Sequence, residues 1–230
     1  MIKPRFLLSI CSLSLLAAGL VSAGGAESDG WVSLYNGTDL DGWVQHGGKA
    51  KYRAEGDAIV GITVPKTGNS FLCTKRTFTN FILELEFKVD PTLNSGVQIR
   101  SEVFDKATSA EIGGKTYKFP ADRVHGYQVE IDPSKRAWTG GIYDEGRRGW
   151  LNDLKTNAPA GAAFTQNEWN KFRIECRGGS IKTWINAVPA ADLKDAVTPA
   201  GLIALQVHGV GNREEPLEIR WRNIRLRELP

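Results

Sequence analysis

The chain has 230 residues, with 29 Lys and Arg against 26 Asp and Glu and a formal net charge of +3. That length, with 41% hydrophobic residues, is enough for one self-supporting core. The charge is too small and too evenly mixed for a nucleic-acid footprint.

The N-terminus carries Lys3 and Arg5, an apolar run from Phe6 to Leu20, and Val21-Ser22-Ala23 before Gly24. This pattern predicts a secretory signal peptide over residues 1–23, too short and wrongly flanked for a stable membrane anchor. Cys11 follows Ile10, where a lipoprotein signal would want Gly or Ala. Cleavage after Ala23 removes Lys3 and Arg5, lowers the net charge to +1, and implies a secreted or periplasmic protein with no membrane attachment. Cys73 and Cys176 remain; they pair if their strands are neighbours, or serve as small core residues.

From about residue 28 to residue 230, short β-branched and aromatic runs alternate with Gly, Pro, Asn and Asp, and no stretch sustains a helical period. One all-β domain follows, a sandwich or jelly roll of antiparallel sheets. Trp31 to Tyr35 reads as a first strand, and Lys51–Arg53 and Ala58–Thr63 bracket a turn at Glu55-Gly56-Asp57. Phe81 to Val89 is the clearest strand, with Phe81, Leu83, Leu85, Phe87 and Val89 on one face. Its turn-rich link over residues 90–96 predicts a hairpin with the next strand, which would put Glu86 and Arg100 on one face as a charge pair. Residues 101–125 form an excursion long enough to be a functional rim. Trp169–Arg177 and Ser180–Ile185 form another hairpin around Gly178-Gly179, and Leu217–Leu226 supplies the last strand.

Three segments alternate strictly: Val97–Arg100, Tyr127–Asp132 and Leu205–His208. As strands they turn Gln98, Arg100, Gln128, Glu130, Asp132, Gln206 and His208 to one face, opposite a purely hydrophobic set. An ordinary solvated face would favour Lys, Thr, Ser and Glu. Glutamines, carboxylates, Arg and His together suit a polyhydroxylated ligand and proton transfer. The glycine- and aromatic-rich stretch 138–150 can present Tyr143, Arg147, Arg148 and Trp150 at a cleft edge, with rings to stack on sugar C–H faces; Trp150 and Tyr143 can equally be buried anchors of that loop.

Glu130-Ile131-Asp132 resembles the start of the catalytic sequence of laminarinase-like jelly rolls. The position for a second glutamate holds Lys135, so paired-carboxylate glycosidase chemistry fails on this strand. His46, His125 and His208 lack zinc-ligand spacing, although Glu130, Asp132 and His208 could converge on one hard divalent cation. What remains is proton chemistry on a sugar, with His208 as base and Arg100 or an ion holding an oxyanion.

Several of these residues fall within motifs that resemble the 3-keto-disaccharide hydrolase-like family of secreted bacterial proteins. The matching pieces are Val32–Trp43, Asn94-Ser95-Gly96-Val97 with Arg100, Gly126–Asp132, Ile203–Gly209 and Ile219–Ile224. The resemblance implies a concanavalin A-like jelly roll with the ligand on a concave sheet face. It also implies a 3-keto-glycoside substrate: the C3 carbonyl acidifies the C2 proton, a modest base forms the enolate, the C1 oxygen leaves, and water adds. His208 would be the base, Arg100 the enolate stabiliser, and Glu130, Gln98, Gln128 and Gln206 would position hydroxyls. The family often carries Glu before Gln in Gly-Tyr-x-Val-x-Ile-Asp, whereas here Gln128 precedes Glu130. A carbohydrate-binding module using the same face without turnover is the alternative, since jelly rolls host both.

Overall fold

The computed structural model describes residues 29–230; the predicted leader, with Cys11, lies outside them. The chain runs β1 (Trp31–Ser33), β2 (Trp43–Gly47), β3 (Lys51–Glu55), β4 (Ala58–Ile62), β5 (Ser70–Thr74), β6 (Phe81–Val89), β7 (Ser95–Glu102), β8 (Thr108–Ile112) and β9 (Lys115–Phe119). It continues as β10 (His125–Ile131), β11 (Ile142–Glu145), β12 (Gly149–Asn152), the one-turn helix α1 (Ala158–Gly161), β13 (Asn170–Arg177), β14 (Ser180–Ile185), β15 (Val188–Lys194), β16 (Leu202–Val207) and β17 (Glu218–Glu228). Two large antiparallel sheets hold most of these strands, in the jelly-roll manner that the alternation predicts. One is ordered β15-β14-β13-β6-β17-β4-β3, with β1 added to β17; the other is ordered β12-β11-β10-β7-β16-β5-β2.

The core lies between the sheets. Leu83, Leu85 and Phe87 of β6, Phe172 and Ile174 of β13 and Trp221 of β17 meet Val97 of β7, Tyr127, Val129 and Ile131 of β10 and Leu205 and Val207 of β16. Fully burying each such side chain contributes roughly 1.5–3 kcal/mol. The hairpins β3–β4 and β13–β14 form as the turn residues predict. Cys73 and Cys176 are free and buried, one on each sheet, so the disulfide alternative does not form.

The β6–β7 hairpin does not form either. β6 belongs to the eight-stranded sheet and β7 to the seven-stranded one, so the link over residues 90–94 crosses between layers. A turn-rich connection fits a hairpin or a crossover equally, and here the core between the sheets selects the crossover. Glu86 therefore sits on the outer face of the other sheet, bonded to the Arg222 Nε at 2.7 Å.

A second, smaller apolar cluster of Phe71, Cys73, Val124, Leu202 and Ala204 lies on the side of the seven-stranded sheet turned away from the core. The excursion over residues 103–124, which includes the β8–β9 hairpin, covers it. His125 stacks beneath on Phe119 at 3.8 Å and lies 5.0 Å from Phe104. The excursion leaves β7 yet reaches the far edge strand β2, where Asp122 bonds His46 Nδ1 at 2.6 Å and accepts from the Gly47 N–H at 3.0 Å. The uncovered part of that sheet face is where the polar row lies.

Candidate functional site

Register puts the row together. Gln128 of β10 is opposite Gln98 of β7 and Tyr143 of β11, while Glu130 is opposite Gly96, which in turn faces Gln206 of β16. Beside them opens a cleft of about 510 Å³, within the range of small-molecule sites. Its lining includes Gln128, Glu130 and Asp132 from β10 and its end, Tyr143 and Glu145 from β11, Trp150 from β12, and His208 just past β16. Of the residues anticipated from sequence, Glu130, Asp132, Gln128, Tyr143, Trp150 and His208 thus meet in one place.

Four lining residues were not anticipated: Asn69, Asn94, Arg136 and Glu145. Asn94 and Arg136 sit in turns beside the strand ends, where sequence alternation gives no direction. The one available signal for Arg136 was its place four residues after Asp132. Its Nε donates to Asp132 Oδ2 at 2.7 Å, its guanidinium reaches to 3.8 Å from Glu130 Oε1, and it lies over the Trp138 and Trp150 rings at 4.6 and 5.1 Å. Trp150 packs edge-on against both Trp138 and Tyr143, which fixes an aromatic wall beside the carboxylates.

Glu130 is 4% exposed. Burial pushes its carboxyl up and the neighbouring Asp132 charge adds to that; donors Asn94 and Gln128, and Arg136, pull back, and the result is about 7. Asn94 Nδ2 donates to Oε1 at 2.7 Å and Gln128 Nε2 to Oε2 at 2.9 Å. Burial also acts to raise Asp132, but hydrogen bonds from Ser134 and Arg136 outweigh it and hold that carboxyl below its ordinary range. His208 Nδ1 is 2.8 Å from the Gly209 carbonyl oxygen. A carbonyl only accepts, so Nδ1 carries the hydrogen and the lone pair of the neutral ring is on Nε2. A cleft with an imidazole lone pair, a carboxyl balanced near neutral pH and a stacked guanidinium can take a proton, return one and hold a developing oxyanion.

Other anticipated residues lie elsewhere. Arg100 has a left-handed backbone, φ +45°, which breaks the alternation after Ile99 and turns its side chain off the cleft face. The guanidinium is buried, donating to the Thr79 carbonyl at 2.7 Å, the Gly178 carbonyl at 2.6 Å and Asn80 Oδ1 at 3.2 Å. It pins the start of β6 to the β13–β14 turn and holds no oxyanion in the cleft. Arg147 and Arg148 are likewise structural: both pair with Asp144, Arg147 reaches Thr198 and Arg148 reaches Asp195, and both lie over the Tyr127 ring. Glu86 is on the opposite sheet. Gln98 is fully buried with its amide committed to Gln128 and Ser101, and Gln206 is fully buried with neither amide atom partnered, so neither lines the open cleft. Glu130, Asp132 and His208 share the cleft, yet among the described residues no three His, Cys, Asp or Glu side chains are grouped closely enough to hold a metal ion.

Residues 30–227 match the family described as the 3-keto-alpha-glucoside-1,2-lyase-like domain. The chain belongs to that family. This is a carbohydrate-related family, and the match spans both sheets of the sandwich. No curated protein matches the chain. Among solved structures, a candidate glycosyl hydrolase from Parabacteroides distasonis ATCC 8503 is 18% identical, with 87% of this chain and 94% of that one covered and a TM-score of 0.54. Carbohydrate-binding module CBM66 from Bacillus subtilis is 17% identical over 84% of this chain and 98% of that one, TM-score 0.55. A Bacillus subtilis protein of unknown function with a galectin-like fold is 13% identical over 82% and 90%, TM-score 0.57. At these identities the likeness establishes the fold.

Proposed function

We propose that this member of the 3-keto-alpha-glucoside-1,2-lyase-like family cleaves glycosides already oxidised at C3, by elimination at C1–C2 followed by hydration. The observation that carries the reading is the meeting, in one sugar-sized cleft, of the His208 Nε2 lone pair and the Glu130 carboxyl at about 7. His208 Nε2 takes the C2 proton, which the C3 carbonyl makes acidic, and the electron pair moves onto the carbonyl oxygen. Arg136 takes the enolate-stabilising part that Arg100 cannot. The enolate expels the C1 oxygen, which takes a proton from Glu130 and departs as an alcohol or sugar hydroxyl. Water then adds at C1 of the enone, Glu130 takes back a proton, and C2 regains one from His208, so the net change is hydrolysis. Tyr143 and Trp150, edge-on to each other, wall the sugar ring on two sides. The leader expected over residues 1–23 supports a site of action outside the cytoplasm.

The test is to incubate the purified protein with a 3-keto-disaccharide and with its unoxidised parent. Release of free sugar from the first alone supports the proposal. Saturable binding without release would identify a binding module instead, and release from both would mean the C3 carbonyl is not used.

A further inference from the structure

A single line of hydrogen bonds runs beneath the cleft. Ser101 Oγ donates to Gln98 Oε1 at 2.7 Å, Gln98 Nε2 donates to Gln128 Oε1 at 2.7 Å, and Gln128 Nε2 donates to Glu130 Oε2 at 2.9 Å. All four side chains are at most 4% exposed, so water does not compete for these contacts. Every donor points toward Glu130, the polarity a carboxylate requires. A Glu130 protonated on Oε2 would need the reverse, because that O–H must find an acceptor while Oε1 goes on accepting from Asn94. Both ends of the line allow reversal. Each amide can exchange its oxygen and nitrogen by a half-turn without moving its other heavy atoms. The Ser101 hydroxyl, which would then accept from Gln98, has the Ile99 and Tyr127 carbonyl oxygens at 3.1 and 3.3 Å to receive its own hydrogen.

We infer that Ser101, Gln98 and Gln128 form a reversible hydrogen-bond relay that satisfies Glu130 in both its charged and its neutral form. This rests on the reading that Glu130 gives and takes a proton in turnover. No proton travels through the amides; the proton enters and leaves Glu130 from the cleft, and the relay only reverses its polarity. Ser101 and Gln98 are positioning residues, acting on Glu130 through Gln128. The other groups around Glu130 are fixed in kind: Asn94 donates to Oε1 and also to the Ile131 carbonyl at 3.3 Å, which keeps its NH2 turned that way; Asp132 and Arg136 pair beside it; Tyr143, Glu145, which pairs with Arg123, and His208 line the same cleft. Among these the relay is the element with two equivalent hydrogen-bonded arrangements.

The test is an NMR titration of the full-length mature chain between about pH 5 and pH 9, following the Glu130 carboxyl carbon and the side-chain amides of Gln98 and Gln128. Both amides should shift with the Glu130 midpoint. In Ser101→Ala, carbonyl oxygens but no hydroxyl donor remain at the far end. Gln98 then presents its NH2 there, the whole line takes the polarity suited to neutral Glu130, and the midpoint rises by on the order of one pH unit. The kcat/KM profile should move with it. Amide signals that stay flat through the Glu130 titration in the unmodified protein would overturn the inference even if Ser101→Ala failed to fold, as would an unmoved or lowered midpoint in the variant. The titration needs no substrate, so coupled shifts without sugar release would sink the proposed reaction and leave the relay standing. Release with flat amides would do the opposite.

Discussion

Gln128 lies directly over Gly96: a Cβ built at residue 96 would fall 2.5 Å from the Gln128 Cγ and Cδ atoms. The missing side chain on β7 is what lets Gln128 extend flat along the sheet from Gln98 to Glu130. Gly96→Ala should therefore lift Gln128 away and remove the donor from Glu130 Oε2. The expected result is a fall in kcat/KM on the order of ten- to a hundredfold, the value of one hydrogen bond to a charged group, with the fold retained by circular dichroism.

Arg136 is 41% exposed on its side chain, so its removal should affect the cleft more than the fold. Arg136→Lys keeps the charge but loses the planar fork that bonds Asp132 and stacks on the two tryptophans. Steady-state kinetics should show a loss of about a hundredfold in kcat, and thermal melts should change little. A large melting shift with unchanged kcat would return Arg136 to a purely structural part.

For Arg100 the expectation is the reverse. Arg100→Met leaves the carbonyl oxygens of Thr79 and Gly178 without their donor and should cost about 2–4 kcal/mol in urea unfolding. The folded fraction should bind and turn over substrate as before. Loss of kcat without loss of stability would put this residue back in the chemistry.

His125 has both ring nitrogens buried and unpartnered, and burial, followed by the charges of Arg147 and Arg123, pushes it down to about 4 despite Asp144. The folded state thus favours neutral imidazole. Its contribution to stability is fully present above the unfolded value near 6.5 and is lost as pH falls toward 4. His125→Phe, which keeps a ring against Phe119 and Phe104 and cannot charge, should be more stable than the parent by about 2 kcal/mol at pH 5. The gap should narrow at pH 8, a difference that paired urea titrations would read.

Much of this was legible in the sequence because alternation is a local signal. It gave the inward row of β6, the β3–β4 and β13–β14 hairpins, and the shared face of Gln128, Glu130 and His208. It failed wherever the answer depended on the third dimension. Nothing in residues 90–96 distinguishes a hairpin from a crossover, so Glu86 landed on the wrong sheet. Arg100 departs from alternation through one left-handed residue that no neighbouring glycine announces. Arg147 and Arg148 read as cleft residues because they flank Trp150, yet Asp144 and Asp195 draw them to the other side. Arg136 and Asn94 were missed because turns, unlike strands, carry no period that tells which way a side chain faces.

The central claim is that His208 removes the C2 proton of a 3-keto-glycoside. It is tested most directly by incubating the substrate with the protein in deuterated water and following deuterium at C2 of recovered substrate and product by NMR. The unmodified protein should place deuterium at C2 of the product, and His208→Gln should slow that incorporation by on the order of a hundredfold or more while still binding the sugar. Sugar released with C2 still carrying its original hydrogen, or exchange at the full rate in His208→Gln, would contradict the account.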